Sequence, residues 1–186
     1  TQETRKLGSL LHTHTQAQLQ GLSKVGATVV IEVATLKVGD YMWVARHKSR
    51  PTDTSREVVL DYIVERKTEA DMWSSISKGG VNTRSRYSDQ NKRMYISGIS
   101  NKIYLLEKGG LVSTPETVYD TVTHTTSRPA APSTESKKRT LTGAANKALL
   151  DGFLVVTTED ARHTVKTLLS ITRRICLSAE VGLMLT

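Results

Sequence analysis

Apolar positions recur along this chain in two rhythms. Between Ser9 and Lys24, Leu11, Leu19 and Leu22 fall at roughly helical spacing, and Gly26 follows as a stop signal, which predicts a helix. From Ala27 to Arg46 the spacing shortens and β-branched and aromatic residues dominate, which predicts two strands bent at Val38-Gly39-Asp40. The polar run from His47 to Glu57 reads as a loop, and the apolar run from Val58 to Glu65 as a third strand of the meander. Thr68 is placed to cap a helix with Asp71 at its third position; Met72, Trp73 and Ile76 supply the apolar face and Gly79-Gly80 the end.

Thr83 to Ser97 is basic and amphipathic, Asn101 to Glu107 reads as a fourth strand, Leu150 to Thr157 as a fifth, and Glu159 to about Leu177 as a long helix. Strands alternating with helices in this half predict an α/β sheet with parallel pairing. Ser113 to Thr142 breaks both rhythms. It is crowded with Thr and Ser and holds three of the four prolines, so its middle, about 121–140, is expected to be a solvent-exposed insertion within a single domain spanning residues 1–186.

The third strand raises the chemical question, because it carries Asp61 and delivers Glu65, Arg66 and Lys67 at its end. Side chains alternate along a strand, so Glu65 and Lys67 share a face, with Cα atoms about 6.6 Å apart, and Arg66 takes the other. Asp61 has the parity of Glu65, and Asp40 enters the neighbouring strand close to it. Two carboxylates confined together repel and resist desolvation, which a divalent cation relieves. All-oxygen ligands suit Mg²⁺, with Mn²⁺ as a substitute. Lys67 would then orient a water or stabilise charge on a phosphate. As a bare pattern Glu-x-Lys is common, and in isolation it is most often a solvated strand end.

Composition narrows the partners. Lys and Arg total 26 against 18 Asp and Glu, a formal charge of +8, which favours a polyanion such as nucleic acid or an anionic surface. Cys176 is the single cysteine, which excludes an intrachain disulfide and a cysteine zinc cluster and fits a reducing compartment, cytosolic or nuclear. No apolar run approaches the length that spans a bilayer and no signal-peptide pattern opens the chain, so no membrane partner is expected.

In this setting "VGDYMWVAR" followed by "VVLDYIVERKTEADMWSSI" resembles the GD…ERKxxxD signature of the XPF-type structure-selective nucleases, and the tryptophan after GD resembles the crossover junction endonucleases of that group. "QETR" at Gln2–Arg5 resembles the end of the family's first acidic motif, "RYSDQNKRM" its Arg-aromatic-x-Glu-Gln-x-x-Arg helix, and "ALLDGFLVV" its last core strand. The resemblance implies a restriction-endonuclease-like fold, a central mixed β-sheet flanked by helices, that cuts branched duplex DNA such as 3′ flaps, replication forks and nicked Holliday junctions in recombination and repair. It implies a metal held by Asp40, Glu65 and the Arg66 carbonyl, Lys67 as catalytic lysine, Asp71 as trailing acid, Glu3 as the surviving acid of the first motif, and Arg86, Gln90 and Arg93 near the site or on DNA phosphates. It implies a nuclear protein paired as a heterodimer with a related, catalytically inactive subunit. The first motif's aspartate would fall before Thr1, and no helix-hairpin-helix module follows the domain within this sequence.

Plainer roles stand beside each of these. Asp71 can simply cap its helix, and Asp61 can be a supporting acid or a structural one satisfied by backbone N–H groups. Arg84, Arg86, Lys92 and Arg93 can be a solvated helix face, and Lys137-Lys138-Arg139 a phosphate contact, a localisation signal or a soluble loop. His12 and His14, two apart, do not stack on one helical face, and Cys176 is read as core. Val165, Leu168, Leu169, Ile171 and Ile175 on the last helix form either a partner interface or core. The competing function is a non-catalytic DNA-binding scaffold of the same fold, and retention of Asp40, Glu65 and Lys67 argues for the enzyme.

Overall fold

The computed structural model describes residues 29–47, 49–50, 52–77, 85–109 and 132–184. Within them the chain runs β1 (Tyr41–Ala45), β2 (Val58–Thr68), α1 (Glu69–Ser77), α2 (Arg86–Ile96), β3 (Asn101–Glu107), α3 (Thr134–Leu150), β4 (Leu154–Thr158) and α4 (Ala161–Met184). The expected helix at 9–24, with His12 and His14, lies outside the described residues, as does Glu3.

The sheet order is β1-β2-β3-β4. β1 is antiparallel to β2, and β2, β3 and β4 are parallel, so the sheet is mixed and flanked by helices, as the sequence predicts. Alternation along β2 sorts the core into two layers. Ile63 packs with Tyr104 and Leu106 of β3 against Met72 of α1, Tyr87 and Met94 of α2, and Leu141 and Ala148 of α3. On the opposite face Val64, Ile103 and Leu105 pack against Val165, Leu168 and Leu169 of α4. The apolar stripe of the last helix is therefore core at these positions, although Leu177, eight residues beyond Leu169, is exposed.

Local chemistry sets several boundaries. The Asp71 N–H donates to Thr68 Oγ1 at 3.1 Å and the Thr68 hydroxyl returns a bond to the Asp71 carboxylate at 2.8 Å, the expected cap of α1. Ser85 accepts from the Ser88 N–H to start α2, and Ser133 accepts from the Ser136 N–H to start α3.

Four boundaries differ from the sequence reading. Residues 29–36 form no strand and are mostly open to solvent, with Val30 70% and Val33 84% exposed. A β-branched run holds a strand only where a neighbour completes its ladder, and no described strand pairs with the outer edge of β1. β2 does not stop at Glu65; parallel pairing of Arg66, Lys67 and Thr68 with Leu105, Leu106 and Glu107 carries it three residues further. The Ser/Thr/Pro-rich insertion expected over 121–140 ends sooner, because α3 begins at Thr134 and takes Lys137-Lys138-Arg139 into its first turns. Leu150 belongs to α3 rather than to the fifth strand. Gly152, at φ +83, turns the chain there while the N–H groups of Asp151, Gly152 and Phe153 bond back to carbonyls of the last turn. Among the described residues no helix is long and apolar enough to cross a membrane.

Candidate active site

The site is built where β1 meets β2. Gly39 adopts φ +70, and a Cβ added there would stand 2.6 Å from Ile63 Cγ1, so only glycine lets the chain lie this close to β2. The next residue is fixed by two bonds. The Asp40 N–H donates to the Val64 carbonyl at 2.8 Å, and one Asp40 carboxylate oxygen accepts from the Arg66 N–H, also at 2.8 Å. The GD dipeptide thus carries a carboxylate to the level of Glu65.

On the α1–α3 face of β2, Glu65 and Lys67 are buried, 5% and 7% exposed. Lys67 Nζ lies 3.0 Å from Glu65 Oε1, and the Gln90 side-chain amide donates to the same oxygen at 2.8 Å. Burial is the main influence on Glu65 and raises its pKa; the Asp40 charge raises it further, against the opposing pull of Lys67 and Arg86. Asp40 is open to solvent on its outer side, yet its carboxylate is set against the sheet. Desolvation raises its pKa despite the Arg66 N–H and the Lys67 and Arg66 charges, which favour its ionised form. Two acids are therefore held together with less compensation than their charges require.

The sequence-predicted residues divide clearly. Asp40, Glu65, Lys67 and Gln90 come together, with the Arg86 charge acting on Glu65 from the start of α2. Arg93 is exposed two turns along the same helix, in the row of Arg86 and Gln90. Asp71 is exposed and bonded to Thr68. Asp61 is turned to other work: it accepts from the Ser100 N–H at 2.6 Å and from the Asn101 amide, tying the entry of β3 to β2. It lies four residues, about 13 Å, from Glu65 along the strand. It is the structural acid of the two alternatives.

The side chain of Arg66 leaves the site altogether. It crosses to the α4 face, where its Nε and Nη2 bond the two oxygens of Glu107 at 3.0 and 2.8 Å. Thr164 of α4 donates to Glu107 at 2.7 Å and shares a further bond with Thr158 of β4 at 2.8 Å. The Arg66 backbone N–H bonds the acid pair directly, and its guanidinium acts on Asp40 only through its charge. Glu107 went unnoticed in the sequence; the available signal was an acid closing an otherwise apolar strand. Trp43, the residue of the GD motif that gave the resemblance its detail, donates from Nε1 to Thr172 at 2.9 Å and so anchors β1 to α4. Cys176 is half-buried and burial pushes its thiol up, as befits a packing residue.

Among the described residues no three His, Cys, Asp or Glu side chains gather as a ready metal cluster. The pair Asp40 and Glu65 nevertheless fits a hard divalent cation. Both donors are oxygens, each is pushed toward protonation by burial, and a cation between them would reverse that.

The site is thus an acid pair at the junction of β1 and β2 beside a buried lysine of β2, on a mixed sheet, and comparison with known proteins gives the family that carries it. The chain belongs to the ERCC4 domain family, whose domain matches residues 9–171. Among relatives, the chain is 34% identical over 143 residues to the structure-specific endonuclease subunit MUS81 of Mus musculus, covering 76% of this chain and 21% of that protein. It is 47% identical over 79 residues to the crossover junction endonuclease MUS81 of Arabidopsis thaliana, covering 42% of this chain and 10% of that one. Of solved structures, XPF from Aeropyrum pernix aligns over 88% of this chain and 63% of its own, at 21% identity and a TM-score of 0.44. The chain spans about a fifth of the length of the mouse relative.

Proposed function

We propose that this domain is the catalytic part of a Mg²⁺-dependent, structure-selective DNA endonuclease that cuts one strand of branched duplex DNA, such as a 3′ flap, a replication fork or a nicked Holliday junction. The observation that carries the reading is the cluster where β1 meets β2, Asp40 set beside the buried Glu65 and Lys67, with Lys67 Nζ 3.0 Å from Glu65. Asp40, Glu65 and the Arg66 carbonyl would hold the cation, with Mn²⁺ as a substitute. When bound, Mg²⁺ supplies a Lewis acid for the phosphodiester and acidifies a water for attack.

The chain's own residues account for the remaining steps. Asp40 and Glu65 are preorganised by the Arg66 N–H and the Gln90 amide, so they need little rearrangement on loading. Lys67, buried and directed along Glu65, orients the attacking water or meets the charge that develops on the phosphate oxygens. Arg86 and Arg93, exposed on the row of α2 that continues from Gln90, suit phosphate contacts that fix DNA position without reading bases. The reading extends to nuclear DNA repair and recombination, in a heterodimer with a related inactive subunit, where the rest of the protein completes the grip on DNA.

The test is nicking of a labelled 3′ flap by the full-length protein with its partner, in Mg²⁺ or Mn²⁺, against Glu65→Ala and Lys67→Ala. Both substitutions should lower the rate about 10²–10³-fold or more while flap binding persists. A wild-type complex that binds the flap and never cuts it would make the domain a scaffold.

A further inference from the structure

Among the described residues three buried side-chain atoms lack a hydrogen-bond partner: Gln90 Oε1, Asn91 Oδ1 and the Tyr104 hydroxyl. All three belong to the layer between α2 and the sheet, on the face that carries Glu65. Tyr104 is 1% exposed and stands beside Glu65 in the register of β2 with β3. Its ring is held between Tyr87, at 5.8 Å, and Phe153, at 6.1 Å, so the hydroxyl cannot swing out to solvent. Burial above all, and then the charges of Glu65, Tyr87 and Asp40, raise its pKa, so it remains a proton donor throughout the working pH range. A buried donor with nothing to bond costs the fold free energy that phenylalanine would not. Here the chain keeps that donor beside its acid pair, with two amide oxygens of α2 in the same layer still able to accept.

We propose that Tyr104 is a positioning residue for the metal-dependent reaction: its hydroxyl, with the free amide oxygen of Gln90, holds a water of the hydration shell of the cation at Asp40 and Glu65. The inference rests on the metal-dependent reading of that pair and adds to it a residue outside the acidic signature. Partners of this kind behind metal ligands tune affinity without touching the metal, which is the expected role of the tyrosine.

Tyr104→Phe in the full-length protein tests it, because the substitution removes the hydroxyl and keeps the ring between Tyr87 and Phe153. Mn²⁺ affinity, measured by calorimetry without DNA, should fall about 10-fold, and the Mg²⁺ concentration for half-maximal nicking should rise by a similar factor. The KM for the flap should stay as in wild type, and the thermal midpoint of the metal-free protein should hold or rise. Wild-type Mn²⁺ affinity in Tyr104→Phe, whatever its thermal midpoint, overturns the proposal. Glu65→Ala in the same calorimeter separates the two readings. If it loses Mn²⁺ while Tyr104→Phe does not, only the tyrosine's role fails; if it binds Mn²⁺ like wild type, the metal site itself has failed.

Discussion

Glu65 and Lys67 on one face of β2, and Arg66 on the other, are neighbours in sequence that meet opposite conditions. On the α4 face the Arg66 guanidinium engages both oxygens of Glu107, and Thr164 supplies a third bond, so a buried charge pair is fully answered. On the α1–α3 face two acids share a single close lysine, both are pushed toward protonation, and nearby polar atoms go without partners. The satisfied face fixes the strand; the unsatisfied face is where the proposed cation would sit. Buried polar groups are usually paired, so the place where pairing is left incomplete is the place to look for function.

Four variants probe that contrast, from the largest effect to the smallest. Glu107→Ala should cost about 3–5 kcal/mol of stability, because the largely enclosed Arg66 guanidinium would lose the carboxylate paired with it. The double variant Arg66→Met/Glu107→Met should recover most of that loss, since removing both charges removes the need for either. Chemical unfolding of the two variants checks the pair; equal losses would mean that the arginine reaches solvent and the face is less closed than its geometry indicates. Thr164→Val deletes the bonds to Glu107 and Thr158 and should cost about 1 kcal/mol.

Asp40→Asn should move the other way. The amide keeps an oxygen for the Arg66 N–H and drops a charge that the metal-free fold disfavours. The raised folded-state pKa means that the folded protein binds this proton more tightly than the unfolded chain. Asp40 therefore loses stability for the fold as pH rises from its ordinary value of 3.8 through the raised one. The gap between variant and wild type should be absent below that window and open above it. Solvent reaches the outer side of Asp40, so the gain in thermal midpoint should be only about 1–3 °C. Thermal scans in chelator at pH 3.5 and pH 7.5 test the sign, and a variant less stable than wild type at the higher pH would contradict it.

Much of this was legible in the chain. The β3 run needed no correction, because an apolar segment bounded by polar residues fits a central parallel strand and little else. Alternation along Val58–Lys67 predicted that Arg66 would part from Glu65 and Lys67, and it does. The run at 29–36 was misread because strand propensity records a fit to a pleated, half-buried surface, and these residues have no such neighbour among those described. Asp61 shared the parity of Glu65, but parity gives a face and not a height. Its bonds to Ser100 and Asn101 hold it at the far end of the strand.

The sequence by itself determined the local quantities: which residues alternate, where Thr68 caps a helix, that Gly39 precedes an acid, and that four charges sit on one otherwise apolar strand. These follow from steric and periodic rules that act over a few residues. Tertiary structure alone decided that Glu107, 41 residues away, would answer Arg66 and that Gln90, 25 residues away, would reach Glu65. It also decided that Tyr104 would stand buried beside the acids. Such pairings depend on the parallel register of β2 with β3 and on the seating of α2, which the chain fixes only when both layers of the core close together.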